Sequence, residues 1–172
     1  MGAVKRILLV EDDPKDVELI LTALSEQDLA GDVAVVHDGV EALDYLYRRG
    51  PFALRLDVNP VVILLDLKLP RLDGKQVLKQ LRSDERFSLI PVIILTSSRE
   101  AGDLESVYRL GANSYVVKPV HFAEFLQAVK EVGSYWTLIN EPVPARSVTL
   151  SSQRAKGAGE DGKSGTRSSP GR

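Results

Sequence analysis

The sequence predicts an α/β protein: a five-stranded parallel sheet wound with helices on both faces, a (βα)5 doubly wound arrangement. Three observations predict it. Five short runs of β-branched and aliphatic residues recur along the chain, and apolar residues at 3–4 spacing fill the intervals. Each strand-plus-helix unit takes roughly 20–30 residues, room for a right-handed crossover onto a parallel neighbour. The central run, Val61-Val62-Ile63-Leu64-Leu65, is apolar at every position rather than at alternate ones, as in a strand buried on both faces.

Composition narrows the classes of function. The chain has 172 residues, 44% of them apolar, enough for one ordinary domain with a core. It has no cysteine, which excludes disulfides, thiolate metal sites and cysteine nucleophiles. No apolar run reaches the roughly 18 residues of a membrane span, and Met1-Gly2-Ala3-Val4-Lys5-Arg6 lacks the three regions of a signal peptide, so a cytoplasmic protein is expected. The net charge of −2 conceals an asymmetry. Residues 146–172 hold six basic and two acidic side chains (+4), which leaves −6 on residues 1–145. An acidic body argues against a nucleic-acid surface. The reading places one domain over residues 4–140 and a disordered Gly/Ser-rich basic tail over 141–172.

In order along the chain, Lys5–Val10 is the first strand. Glu11-Asp12-Asp13-Pro14 then opens a helix, since proline suits the first turn and acids cap its free N–H groups, and Val17, Ile20, Leu21 and Leu24 share one face. Val33, Val35 and Val36 mark the second strand, and Asp38-Gly39 leads into a helix over 40–49 with Leu43 and Tyr47 inward. Residues 50–60 form a connection longer than usual, and Phe52, Leu54 and Leu56 suggest a packed excursion. The third strand is the central run, ending at Asp66. A helix over 74–82 follows with Val77, Leu78 and Leu81 inward. Val92–Leu95 is the fourth strand, ending at Thr96-Ser97-Ser98. The helix over 100–110 has a thin apolar face (Leu104, Val107, Tyr108) and Gly111 at its end. Ser114–Val117 is the fifth strand, ending at Lys118-Pro119, and the last helix carries Phe122, Phe125, Leu126, Val129 and Trp136.

Polar side chains therefore fall at the C-terminal ends of four strands: Glu11 and Asp12, Asp66, Thr96, and Lys118. In a parallel sheet these ends share one edge, where open α/β folds build their sites. Each residue alone reads as a cap, a turn residue or a solvated charge; their convergence does not. Three clustered carboxylates repel one another and call for a hard cation such as Mg²⁺. The set suits phosphoryl transfer onto Asp66 as nucleophile, with the Lys118 ammonium and the Thr96 hydroxyl on the phosphoryl oxygens and the small Ser97 leaving room.

The segments Leu-Val-Glu-Asp-Asp-Pro, Leu-Leu-Asp-Leu-Lys-Leu-Pro-Arg-Leu-Asp-Gly, Ile-Leu-Thr-Ser and Tyr-Val-Val-Lys-Pro resemble the receiver domains of two-component response regulators over about 135 residues. The resemblance implies the flavodoxin-like receiver fold and a signalling protein rather than a turnover enzyme. It implies Asp66 as phosphoacceptor from a histidine kinase, and Mg²⁺ held by Glu11, Asp12, Asp66 and the Lys68 backbone carbonyl. It implies Thr96 and Tyr115 as a switch pair, and Lys118 before a cis-type Pro119 as phosphate ligand. The long 50–60 connection, Tyr-Leu-Tyr-Arg-Arg-Gly, Tyr135-Trp136 and Asn140-Glu141-Pro142 are similar to a narrower group, the stand-alone regulators that partner phytochrome-type histidine kinases. That group implies light signalling and a homodimer through the fourth helix, fifth strand and last helix; the acidic body and the lack of a long apolar run are what argue against a nucleic acid or membrane partner.

Rival readings differ at single residues. A haloacid-dehalogenase-type phosphatase needs an acid two residues beyond its nucleophile, where Lys68 stands. A phosphorylation-independent pseudo-receiver is expected to lack an acid, Thr96 or Lys118, and all are present. A transcription factor needs a DNA-binding domain for which the residues beyond the last helix are too few and too polar. His37 and His121 read as structural or solvated rather than as phosphodonors.

Overall fold

The computed structural model describes residues 6–143; the predicted tail lies outside them from 144 onward. Five strands form one parallel sheet in the order β2-β1-β3-β4-β5. They are β1 (Ile7–Val10), β2 (Val33–Val36), β3 (Val62–Leu65), β4 (Val92–Thr96) and β5 (Ser114–Val117). The helices between and after them are α1 (Pro14–Ser25), α2 (Gly39–Tyr47), α3 (Gly74–Ser83), α4 (Ala101–Arg109) and α5 (Phe122–Ser134). A π-type turn, Tyr135–Ile139, extends α5.

Side chains that alternate along the strands divide the core in two. Leu8, Val10, Ile63, Leu65 and Ile94 face α2, α3 and α4, where Leu46, Val77, Leu78 and Val107 meet them. Ile7, Leu9, Leu64, Ile93 and Leu95 face α1 and α5, where Ile20, Leu24, Phe125 and Val129 meet them. The inner strands β1, β3 and β4 are buried along their whole length, whereas the edge strand β5 is half-buried throughout. That burial explains why the central run lacks alternation: both faces are covered.

Two expectations need correction. Of Phe52, Leu54 and Leu56 in the 50–60 connection only Phe52 packs, its ring edge-on to Tyr45 at 5.3 Å. Leu54 is 99% exposed and Leu56 also faces solvent. The segment is held by polar bonds instead. Arg55 Nε donates to the Tyr45 carbonyl (3.0 Å), Arg55 Nη1 to the Val58 carbonyl (2.6 Å), and Asn59 Nδ2 to the Arg86 carbonyl (2.9 Å). Phe122, placed on the inner stripe of the last helix by its spacing, is 57% exposed because it opens the helix beyond the sheet's edge.

Candidate functional site

The site stands where β1, β3, β4 and β5 end together. Glu11 continues the sheet, its amide donating to the Val36 carbonyl (3.0 Å), so its side chain enters the sheet edge and is buried. Its Oε1 accepts from the Asp13 amide at 3.1 Å. Asp13 caps α1 by accepting from the Lys15 amide, with Pro14 as the first helical residue, so the chain turns sharply after Asp12 and leaves that carboxylate exposed.

Asp66 continues β3, its amide donating to the Val10 carbonyl at 3.1 Å. It is buried, and its Oδ1 accepts from the Lys68 amide at 3.3 Å. The following loop closes tightly on it. Gly74 donates to the Leu67 carbonyl, and a Cβ at Gly74 would lie 2.2 Å from the Asp66 carbonyl oxygen. Only glycine fits there. Asp73 and Gln76 complete a capping box that starts α3 at the same point.

Thr96 is fully buried at the end of β4, its Oγ1 accepting from the Ser98 amide at 3.3 Å. The Lys118 amide donates to the Thr96 carbonyl (2.8 Å), which carries β5 past its last residue and brings the lysine side chain inward. The peptide bond before Pro119 is trans, contrary to the sequence expectation. Lys118 Nζ reaches Glu11 Oε2 (2.6 Å), Asp16 Oδ2 (2.7 Å) and Asp66 Oδ2 (3.1 Å).

The electrostatics follow from crowding. Burial raises the pKa of the Glu11 carboxyl, only partly opposed by the Lys118 hydrogen bond and charge. Burial alone lowers that of the Lys118 ammonium, but the hydrogen bonds it donates to Asp16 and Glu11 and the charges of Asp66 and Glu11 reverse this and hold it above the usual lysine range. One oxygen from each of Glu11, Asp12 and Asp66 lies within 4.8 Å of the others. This all-oxygen, anionic donor set fits a hard divalent cation such as Mg²⁺.

Tyr115 lies outside this knot. Its half-buried ring packs on the α2–α3–α4 core and its hydroxyl donates to the Ser98 carbonyl at 2.9 Å. Ser98 Oγ in turn donates to Asp103 Oδ2 (2.5 Å), and Lys75 Nζ sits 2.7 Å from Asp103 Oδ1. Lys75 first, then Ser98, holds the Asp103 carboxyl below the usual carboxylate range. His37 is exposed, its Nδ1 3.2 Å from the Glu11 carbonyl, and His121 is exposed ahead of α5.

The predicted residues Glu11, Asp66 and Lys118 thus touch; Asp12 and Thr96 border them, and Lys68 meets Asp66 through its amide. Two residues were not foreseen: Asp16, on Lys118, and Asp103, between Ser98 and Lys75. Asp16 carried one signal, an acid a helical turn beyond Asp12 and so at the same end of α1.

The response regulator receiver domain family matches residues 7–130. The probable methanogenesis regulatory protein FilR2 of Methanothrix harundinacea (strain 6Ac) is 39% identical over 142 residues, covering 81% of this chain and 88% of the relative. The bacteriophytochrome response regulator RtBRR is 52% identical in sequence with a TM-score of 0.66, over 83% of this chain and 86% of that one. The phosphorylated cyanobacterial phytochrome response regulator RcpA is 36% identical with a TM-score of 0.76, over 83% of this chain and 100% of that one.

Proposed function

The chain belongs to the response regulator receiver domain family, and on that footing we propose that Asp66 accepts a phosphoryl group from the phosphohistidine of a histidine kinase. The observation that carries this is the Lys118 ammonium, bonded to both Asp66 and Glu11 at a buried strand edge. An Asp66 oxygen attacks phosphorus in line as the P–N bond breaks. The electron pair returns to the imidazole, which takes a proton from solvent, and an aspartyl phosphate remains. Glu11, Asp12, Asp66 and the Lys68 carbonyl would hold Mg²⁺, which would supply charge neutralisation for the transferred group. Lys118 donates to a phosphoryl oxygen and screens the Asp66 carboxylate. Thr96 turns its hydroxyl toward the new dianion, Ser97 leaves room for it, and Tyr115 moves with Thr96, altering the face made by α4, β5 and α5.

That face carries apolar side chains in solvent, Leu104 and Tyr108 on α4. It suits a protein reader or a second copy of the chain, and we assign it as the homodimer face. The likeness to RtBRR and RcpA supports a phytochrome-type kinase as the phosphodonor. Among the described residues no helix is long and apolar enough to cross a membrane. With the acidic body, this supports a cytoplasmic location and a role without nucleic acid.

Mass spectrometry of the intact chain after incubation with acetyl phosphate and Mg²⁺ tests the reading. The wild type is expected to gain about 80 Da, the mass of one phosphoryl group. Asp66→Asn, and the wild type in EDTA, should gain none. Absence of an adduct on the wild type would replace this reading with a pseudo-receiver, a binding module indifferent to phosphorylation. Light scattering with and without beryllofluoride tests the dimer, and a monomer under both conditions removes it.

A further inference from the structure

The proposed cation site takes one ligand from the backbone, the Lys68 carbonyl, and the loop that carries it is held from outside. Residues 67–73 leave β3 at Asp66 and return to it at Gly74. Leu67 and Leu69 are buried on either side of Lys68. Beyond them the chain reverses at Arg71, whose φ of +65° lies in the left-handed region. Across that residue the Leu72 amide donates to the Pro70 carbonyl at 2.7 Å. A three-residue turn of this hand is rare and strained in an L-residue, and it persists only where its surroundings impose it.

Two contacts impose it, both from the junction of β2 and α2. Arg71 Nη1 donates to Asp38 Oδ2 at 2.8 Å. The Leu72 carbonyl oxygen lies against Gly39, where an added Cβ would come within 2.1 Å of it. Asp38 is anchored in turn as the N-cap of α2, its Oδ1 accepting from the Glu41 amide at 2.8 Å. The acids that close on one another at the site are Glu11, Asp12 and Asp66, and Asp38 is not among them. The phosphoryl transfer proposed above assigns no part to Asp38 or Arg71.

We propose that Asp38 and Arg71 are positioning residues for the divalent cation: their ion pair fixes the turn, and through it the Lys68 carbonyl. This rests on the reading of Glu11, Asp12, Asp66 and Lys68 as the cation site. Lys68 stands three positions before the centre of the turn, so a loop that leaves the turn presents its carbonyl for a smaller fraction of the time. Apparent affinity falls by that fraction. Leu67 and Leu69 still anchor the neighbours of Lys68, so loss of the pair loosens the carbonyl without releasing it. The effect is graded.

The experiment titrates the whole chain with Mn²⁺ and reads the free ion by electron paramagnetic resonance. The chains compared are wild type, Arg71→Gln, Asp38→Asn, these two combined, Arg71→Asn and Asp12→Asn. Asp38→Asn keeps a side-chain oxygen for the cap of α2. Arg71→Gln and Asp38→Asn should each weaken Mn²⁺ binding about two- to fivefold, the scale of a partly exposed ion pair. Their combination should weaken it no more than the stronger single change, since both remove one contact. Charge alone predicts otherwise: loss of the Arg71 cation would tighten Mn²⁺, and the combination would cancel. Arg71→Asn also lacks the pair, but asparagine takes the left-handed backbone more readily and should recover at least half of the loss. Unchanged or tighter binding by Arg71→Gln overturns the proposal, as does Arg71→Asn binding no better than Arg71→Gln. A wild type that leaves Mn²⁺ free, or binds it no better than Asp12→Asn, removes the cation reading itself. The Arg71 variants therefore judge the turn, and Asp12→Asn judges the site.

Discussion

Asp66 and Thr96 end neighbouring strands, yet the helices that follow them are held in opposite ways. After Asp66, α3 is fixed by packing: Val77, Leu78 and Leu81 are buried, a capping box starts the helix, and Gly74 lies against the Asp66 backbone. After Thr96, α4 buries Val107 alone, and Glu100 gives it no side-chain cap. It is tied by polar bonds, from Asp103 to Ser98 and Lys75, and the loop before it by Tyr115 to Ser98. Packing holds a group in one place because a shifted core loses many contacts at once. Hydrogen bonds near the surface exchange with water at little net change. The first arrangement suits the role proposed for Asp66, a carboxylate that reacts in place. The second suits the role proposed for α4, an element that reports on it.

The largest expected effect is in the core. Leu78→Ala should lower unfolding free energy by about 3 to 4 kcal/mol, and Val107→Ala by about 2 kcal/mol, since fewer buried carbons are removed. Chemical denaturation measures both, and native-state hydrogen exchange should show α4 amides opening at lower free energy than those of α3. Equal protection of the two helices would break the contrast.

Glycines give the next test. Gly74→Ala forces a methyl group against the Asp66 carbonyl and should destabilise by about 2 to 3 kcal/mol. In α4, nothing lies within 4 Å of a Cβ at Gly102. Gly102→Ala should therefore stabilise by about 0.5 kcal/mol. Thermal unfolding should move in opposite directions for the two variants.

The smallest effect concerns the polar tie. Asp103→Asn should destabilise by less than about 1 kcal/mol, as partly exposed ion pairs do. Because the Asp103 carboxyl is held below its ordinary value in the folded chain, its contribution is present above the unfolded carboxylate pKa, about 4. It is lost as pH falls through the lower folded value. Wild type and Asp103→Asn should thus differ at pH 7 and converge in acid, in denaturation curves taken across that range.

Much of the fold was legible in the sequence because burial on both sheet faces writes continuous apolar runs, and one-sided helix packing writes the 3–4 spacing of Val77, Leu78 and Leu81. The predicted position of Glu11, Asp66, Thr96 and Lys118 at a common edge followed from parallel strand direction alone. Hydrophobicity misled where geometry offered no surface to cover, as at Leu54 and Phe122, because an apolar side chain states a preference and not a neighbour.

The sequence by itself determined the order of strands and helices and the kinds of polar group at the sheet edge, both properties of local pattern and chain direction. Only the tertiary structure decided which charges pair. Asp16 and Lys118 are separated by 102 positions, as Lys118 and Asp66 are by 52, and no periodicity connects them. Their meeting depends on β5 lying two strands from β3 and on the first turn of α1 leaning over that edge. A salt bridge is short-ranged and directional, so it forms where the backbone has already brought two side chains within reach. For Lys118 that placement supplied three acceptors rather than one, and it turned a row of strand-end residues into a connected charge network.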